Sequence, residues 1–68
     1  MMTIHEIMSQ SNDLHRAVSF FFGPIAEGKT DKETVKAAEM FAEGISNVLR
    51  QDTDEVFKYM KTWAEANF

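Results

Sequence analysis

The sequence predicts an all-α protein, built as a small helical hairpin or a three-helix bundle. Three observations support this fold class: apolar residues recur at helical spacing, helix-capping patterns recur along the chain, and the sustained alternation typical of strands is absent. The helices are predicted at about residues 3–22, 31–50 and 53–67. With 68 residues, the chain is expected to form a single helical domain over residues 1–68.

The first helix is predicted to begin at Thr3. Thr3 and Glu6 form a capping box, in which the Thr hydroxyl accepts a hydrogen bond from the backbone amide three residues later. Apolar residues then follow at helical spacing, with a polar interruption at residues 9–13, where the helix is expected to bend or to start again. Gly23 and Pro24 are expected to end it, because Gly favours the left-handed cap and Pro cannot continue the hydrogen-bond ladder.

The second helix is predicted from a capping box formed by Thr30 and Glu33, with Asp31 where the helix dipole favours a negative charge. Its apolar stripe consists of Val35, Ala38, Phe41, Ala42, Ile45, Val48 and Leu49. Gly44 lies inside the predicted helix, where glycine makes helix formation less favourable than alanine by about 1 kcal/mol. We interpret Gly44 as a weak point of the helix; the alternative is a close approach of a second helix.

The third helix is predicted to begin at Asp52, because Asp52 and Glu55 have the spacing of a capping box. Its apolar stripe consists of Val56, Phe57, Met60, Trp63 and Ala64. In the alternative interpretation no break occurs at residues 51–53, since neither Gly nor Pro lies there. The second and third helices then form one helix of about 37 residues, which pairs with the first as a hairpin.

The small size of the chain predicts that it associates with itself. A domain of this length buries only about 60% of the surface that its unfolded chain exposes, so it is marginally stable alone. The chain has no Cys, which excludes disulfides and thiolate metal sites. His5 and His15 are too far apart for a helical metal pair. No metal or cofactor is therefore expected, and oligomerisation, in the form of a homodimer, is the remaining route to added stability.

Composition also limits the function. Eleven acidic and seven basic side chains give a net charge of −4, which disfavours direct binding to nucleic acid. No segment approaches the roughly 18 apolar residues of a membrane span, and we see no signal peptide, so a cytoplasmic protein is expected. Ser11, Asp13 and His15 do not imply an oxyanion hole. No catalytic residue is predicted, and the chain is not expected to be an enzyme.

The aromatic residues point to an interface. Phe20, Phe21 and Phe22 are adjacent, and successive residues of a helix point about 100° apart, so one thin core cannot easily cover all three rings. A second aromatic group lies near the C-terminus. The predicted interface residues are Phe20, Phe21, Phe22, Phe57, Tyr59, Trp63 and Phe68. Large aromatic side chains are favoured interface anchors, so a second copy of the chain or another protein is the expected partner.

In type, the chain resembles the small acidic helical accessory proteins that bacteriophages encode in their early regions. The resemblance is carried by its length, its lack of Cys and an aromatic-rich helical pair that begins Met-Met-Thr-Ile-His-Glu. It implies an intracellular protein that binds and redirects another protein. Together with the aromatic excess, it favours a protein-binding regulator or inhibitor that acts as a homo-oligomer. The alternatives are a subunit or adaptor of a larger assembly, and a nucleic-acid-linked regulator that is a weak DNA binder or a mimic.

Overall fold

Four α-helices form the protein in the computed structural model, which describes residues 3–67. They are α1 (Ile4–Gln10), α2 (Asn12–Ala26), α3 (Lys32–Leu49) and α4 (Thr53–Asn67). No strand occurs within this described range. The all-α prediction is therefore confirmed. The number of helices differs from the predicted three, because the first predicted helix is divided into α1 and α2.

The division falls at Ser11, inside the polar segment where a bend or a new start is expected. Thr3 caps α1, as predicted, by accepting a hydrogen bond from the Glu6 amide at 3.2 Å. Ser11 has extended backbone angles, and its Oγ accepts a hydrogen bond from the Leu14 amide at 3.1 Å. Because this side chain satisfies an amide that a continuous helix would bond internally, Ser11 ends α1 and starts α2.

The predicted end of α2 at Gly23 and Pro24 is wrong. Pro24 lies in the last turn of α2, and the helix continues past it to Ala26 although proline lacks the amide that would donate to the preceding turn. The left-handed residue is instead Gly28, with a φ of 98°. There the Lys29 amide donates to the Pro24 carbonyl at 3.0 Å, which is the long hydrogen bond of a Schellman motif.

The start of α3 differs from the prediction by one residue, because Asp31 rather than Thr30 is the N-cap. The Asp31 carboxylate accepts a hydrogen bond from the Thr34 amide at 3.1 Å and another from the Thr34 hydroxyl at 2.8 Å. Farther along α3, Gly44 is exposed, and a Cβ built there would meet no atom within 4 Å. The interpretation of Gly44 as a weak point is therefore supported, and a close approach of another helix of this chain is not observed.

Separate helices α3 and α4 rule out the single long helix. Arg50 ends α3 in the left-handed conformation, with a φ of 57°, and the Gln51 amide donates to the Ser46 carbonyl at 3.0 Å. Asp52 then caps α4, as predicted, by accepting a hydrogen bond from the Glu55 amide at 3.2 Å. The chain reverses without Gly or Pro because a non-glycine residue adopts the positive φ.

The core lies between α2, α3 and α4, which pack on one another, while α1 packs on α2 and α4. Its buried apolar side chains are Ile4, Met8, Leu14, Val18, Phe22, Ala38, Ala42, Leu49, Val56, Met60 and Ala64. The hydroxyl of the buried Ser46 donates to the Glu43 carbonyl and lies 2.8 Å from the Thr53 hydroxyl. The Cα radius of gyration is 11.0 Å, which matches the roughly 11 Å of a compact domain of this length.

Polar contacts attach the short α1 to the rest of the bundle. The Ile4 amide, in the first turn of α1, donates to the Gln51 Oε1 at 2.6 Å. Near the other end of α1, the Met8 carbonyl accepts a hydrogen bond from the Nε2 of His15. Because a helix of this length is unstable alone in water, these contacts and the burial of its apolar face hold α1 in place.

Candidate protein-binding surface

The three adjacent phenylalanines have three different environments. Phe22 is in the core with 0% of its surface exposed, so the expectation that this ring is available to a partner is corrected. Phe21 is half-buried and stacks on Phe41 of α3, with ring centroids 4.7 Å apart. Phe20 remains 75% exposed. The helical rotation of about 100° per residue thus turns one ring inward, one toward α3 and one outward.

A shallow groove of about 350 Å³ lies beside Phe20, between α2 and the start of α3. Its apolar lining is Phe20, Phe21, Pro24 and Ala37. Its polar lining is Asp31, Glu33 and Thr34. The Phe20 and Phe21 rings meet edge to face, with centroids 5.2 Å apart, so the exposed ring is braced by a half-buried one.

The apolar surface continues along α3. Within residues 3–67, the large apolar side chains that are mostly exposed are Phe20, Met40 and Val48, at 75%, 64% and 79%. Met40 lies three residues after Ala37, and Val48 lies two helical turns after Phe41, so both fall on the side of α3 that borders Phe20 and Phe21. We call this surface the α2/α3 face; its members are Phe20, Phe21, Pro24, Ala37, Met40, Phe41, Gly44 and Val48.

The groove end of the α2/α3 face carries fixed negative charge. Hydrogen bonds from the hydroxyl and the backbone amide of Thr34 lower the pKa of Asp31 below its ordinary value, with a smaller contribution from the positive charge of Lys29. Asp31 therefore stays ionised at neutral pH and is held in position at the rim. Glu33 supplies a second carboxylate to the same rim.

The aromatic residues of α4 contact their own chain. Phe57 packs on Phe22, with ring centroids 5.1 Å apart, so the two aromatic groups meet in the fold. The Trp63 ring lies 5.1 Å from that of His15. The half-buried Tyr59 hydroxyl lies 3.0 Å from the Nδ1 of His5 on α1. Phe57, Tyr59 and Trp63 therefore join helices, whereas the predicted interface residue Phe68 lies outside the described residues.

Sequence reasoning missed much of the α2/α3 face. Val48 belongs to the predicted apolar stripe of the helix that became α3, but it is 79% exposed. Its position could have been recognised, because a stripe that includes both Val35 and Val48 spans more of the helix circumference than one packed face covers. The roles of Asp31 and Glu33 beside Phe20 depend on how the turn between α2 and α3 folds back, and no local pattern indicates that arrangement.

The described part of the chain has neither a metal-binding group nor a membrane-spanning helix. Among its His, Asp and Glu side chains, no group of three or more could hold a metal ion. None of its helices combines the length and the apolar character that crossing a bilayer requires.

Comparison with known proteins yields no match to a family model, a curated protein or a solved structure. The fold itself defines the class, a small all-α protein. Function must therefore be inferred from the geometry of this chain's own surface.

Proposed function

We propose that the chain is a protein-binding regulator or inhibitor, and that it binds through the α2/α3 face. The observation that carries this proposal is the alignment of Phe20, Met40 and Val48, which are 75%, 64% and 79% exposed, on one side of two packed helices. Leaving several large apolar side chains on one side of the molecule exposed to water is unfavourable, and groups of this kind mark interaction sites. The role agrees with the one that the resemblance to phage accessory proteins implies.

The homodimer predicted from the sequence is part of this proposal. Two copies that meet through the α2/α3 face would cover Phe20, Met40 and Val48 in the absence of another partner. A binding partner would then compete with self-association for the same residues. The cytoplasmic location predicted from the sequence also remains a proposal.

The proposal is tested by polar substitutions across the face. The variant combines Phe20→Ser, Met40→Gln and Val48→Thr, each at a largely exposed position, so the fold should be retained. A matched control changes two exposed residues of α4, Lys58→Gln and Glu65→Gln. Light scattering after gel filtration, over a range of concentrations, measures the solution mass of each protein.

We expect the wild type and the control to self-associate and the face variant to remain a folded monomer. If the wild type is itself monomeric, the face is open, and all three proteins serve as bait in a cell lysate. Proteins that the wild type and the control retain and the face variant loses would then support the proposal. Equal self-association of all three proteins, or no difference in the proteins retained, would overturn it.

A further inference from the structure

The charge and shape of the α2/α3 face indicate the kind of partner. We propose that this face binds an amphipathic helix of a partner protein, in which arginine or lysine side chains flank the apolar stripe. The inference rests on the proposed function, since it assumes that the α2/α3 face is the binding surface. It adds the conformation and the charge of the segment that binds there.

The shape of the face fits a helix. Ala37 and Gly44 lie two turns apart on the same side of α3, and a Cβ added at Gly44 would meet no atom within 4 Å. Together with the half-buried Phe41 that lies between them, these small residues form a low strip beside the more exposed side chains of Phe20, Met40 and Val48. A partner helix can approach closely along such a strip and insert its apolar side chains between the larger ones.

The charge of the face fits a basic partner. The Asp31 and Glu33 carboxylates line the groove beside the exposed Phe20 ring. A guanidinium or ammonium group placed there would pair with the carboxylates and lie near the aromatic ring, and both interactions favour a cation. Lys29 lies near Asp31 but does not line the groove, and the exposed Arg16 lies one turn before Phe20 on α2, so the excess of negative charge is confined to the groove end of the face.

A basic helix is favoured over a second copy of the chain, and it would displace that copy from a homodimer formed through this face. Each copy has a net charge of −4, so self-association brings two negatively charged molecules together. A basic helix supplies the opposite charge and gains from the same apolar contacts. Charge complementarity therefore favours a basic partner.

Two designed helical peptides test the inference. Both carry the same leucine stripe; one has arginine at the flanking positions and the other has glutamate. Binding to the full chain is measured by isothermal titration calorimetry at low and high salt, and the contact residues are located by NMR chemical-shift changes. We expect the arginine peptide to bind at least about fivefold more tightly at low salt, and the difference to shrink as salt screens the charges.

Three variants define the binding site. Glu33→Gln should weaken binding of the arginine peptide a few-fold. The matched control Glu65→Gln, at an exposed position of α4, should leave this binding unchanged. Gly44→Leu should abolish binding of the arginine peptide by filling the low strip. Because the space around Gly44 is open, this variant should fold normally, which circular dichroism would check.

The outcomes separate this inference from the proposed function. Equal binding of the two peptides, shifts on another surface, or no binding at millimolar peptide would overturn the basic helix as occupant. A dimer through the α2/α3 face that the arginine peptide does not dissociate would identify a second copy instead. In each case the proposed function would still stand if the Phe20, Met40 and Val48 variant changed self-association or partner capture, because that test does not depend on charge.

Discussion

Within residues 3–67, two residues have a left-handed backbone conformation, and its steric cost differs between them. Gly28 has a φ of 98° and Arg50 a φ of 57°. Glycine adopts this region without a steric penalty, whereas for a residue with a side chain the left-handed conformation is less favourable by roughly 1–2 kcal/mol. The left-handed position after α2 is therefore occupied by a glycine, which adopts it freely. The left-handed position after α3 is occupied by Arg50, which adopts it at a steric cost.

We predict that Arg50→Gly stabilises the protein by about 0.5–1 kcal/mol, because the relief of the left-handed penalty exceeds the added freedom of the unfolded chain. Gly28→Ala should destabilise it by about 1 kcal/mol for the opposite reason. Urea denaturation followed by circular dichroism measures both free energies of unfolding. Arg50→Ala is the control for loss of the side chain alone, and a gain equal to that of Arg50→Gly would contradict the backbone explanation.

The Asp31 cap predicts a pH dependence of stability. Its pKa is lowered in the folded protein by hydrogen bonds from Thr34, so the folded state binds the proton less readily than the unfolded state. The stabilisation is therefore complete above the ordinary Asp pKa of about 3.8 and is lost as the pH falls through the lower folded value.

Asp31→Asn should remove this acid-dependent contribution while it keeps a side chain that can cap α3. The stability difference between the wild type and the variant should be constant near neutral pH and should diminish below about pH 4. Urea denaturation of both proteins from pH 7 to pH 2.5 measures it. A difference that stays the same at acid pH would show that the carboxylate charge contributes nothing to the cap.

At the scale of elements, α1 is the helix that depends most on others. It spans Ile4–Gln10, and a helix this short is not stable alone. Its first turn is attached to the turn between α3 and α4, where the Gln51 side chain accepts the Ile4 amide hydrogen at 2.6 Å. Loss of this contact should therefore loosen α1 before it affects the other helices.

Gln51→Ala should increase hydrogen exchange of the α1 amides, with a cost of about 1 kcal/mol from the lost hydrogen bond, and leave exchange in α3 and α4 nearly unchanged. Hydrogen exchange followed by mass spectrometry resolves the helices. Gln51→Glu is the matched control, since it keeps an acceptor oxygen at the same position and should preserve the protection of α1. Equal exchange in α1 for both variants would show that the hydrogen bond does not anchor this helix.

The elements show how far local sequence patterns determine this fold. Thr3 and Asp52 cap helices as predicted, because a cap depends on residues within one turn. The end of α2 could not be predicted from Pro24, since the helix continues for two residues past the proline and ends before the left-handed Gly28. The left-handed Arg50 could not be predicted either, because its residue type does not favour that conformation.

At the scale of the whole molecule, local patterns predict that an aromatic surface exists but not where it lies. The adjacency of Phe20, Phe21 and Phe22 guarantees that the rings point in different directions. Which ring is buried depends on how α2 is rotated against α3 and α4, and that rotation results from the packing of the entire core. The groove beside Phe20 likewise requires the fold, because it joins residues of two helices and the turn between them.

The difference in burial between Phe20 and Phe22 predicts different effects on stability when each is replaced by alanine. Phe22→Ala should destabilise the monomer by about 3–5 kcal/mol, because it opens a cavity beside Phe57 in a core with few other large side chains. Phe20→Ala, at a ring that is 75% exposed, should change the stability of the monomer by no more than about 0.5 kcal/mol.

Urea denaturation at low protein concentration, followed by Trp63 fluorescence, measures the stability of each monomer. At high concentration, Phe20→Ala should instead lower the solution mass or weaken binding, while any loss of binding by Phe22→Ala should follow its loss of folded protein. Similar destabilisation by the two variants would mean that Phe20 contributes to the fold of the monomer. The aromatic run would then stabilise the bundle alone, and the α2/α3 face would lose its main anchor.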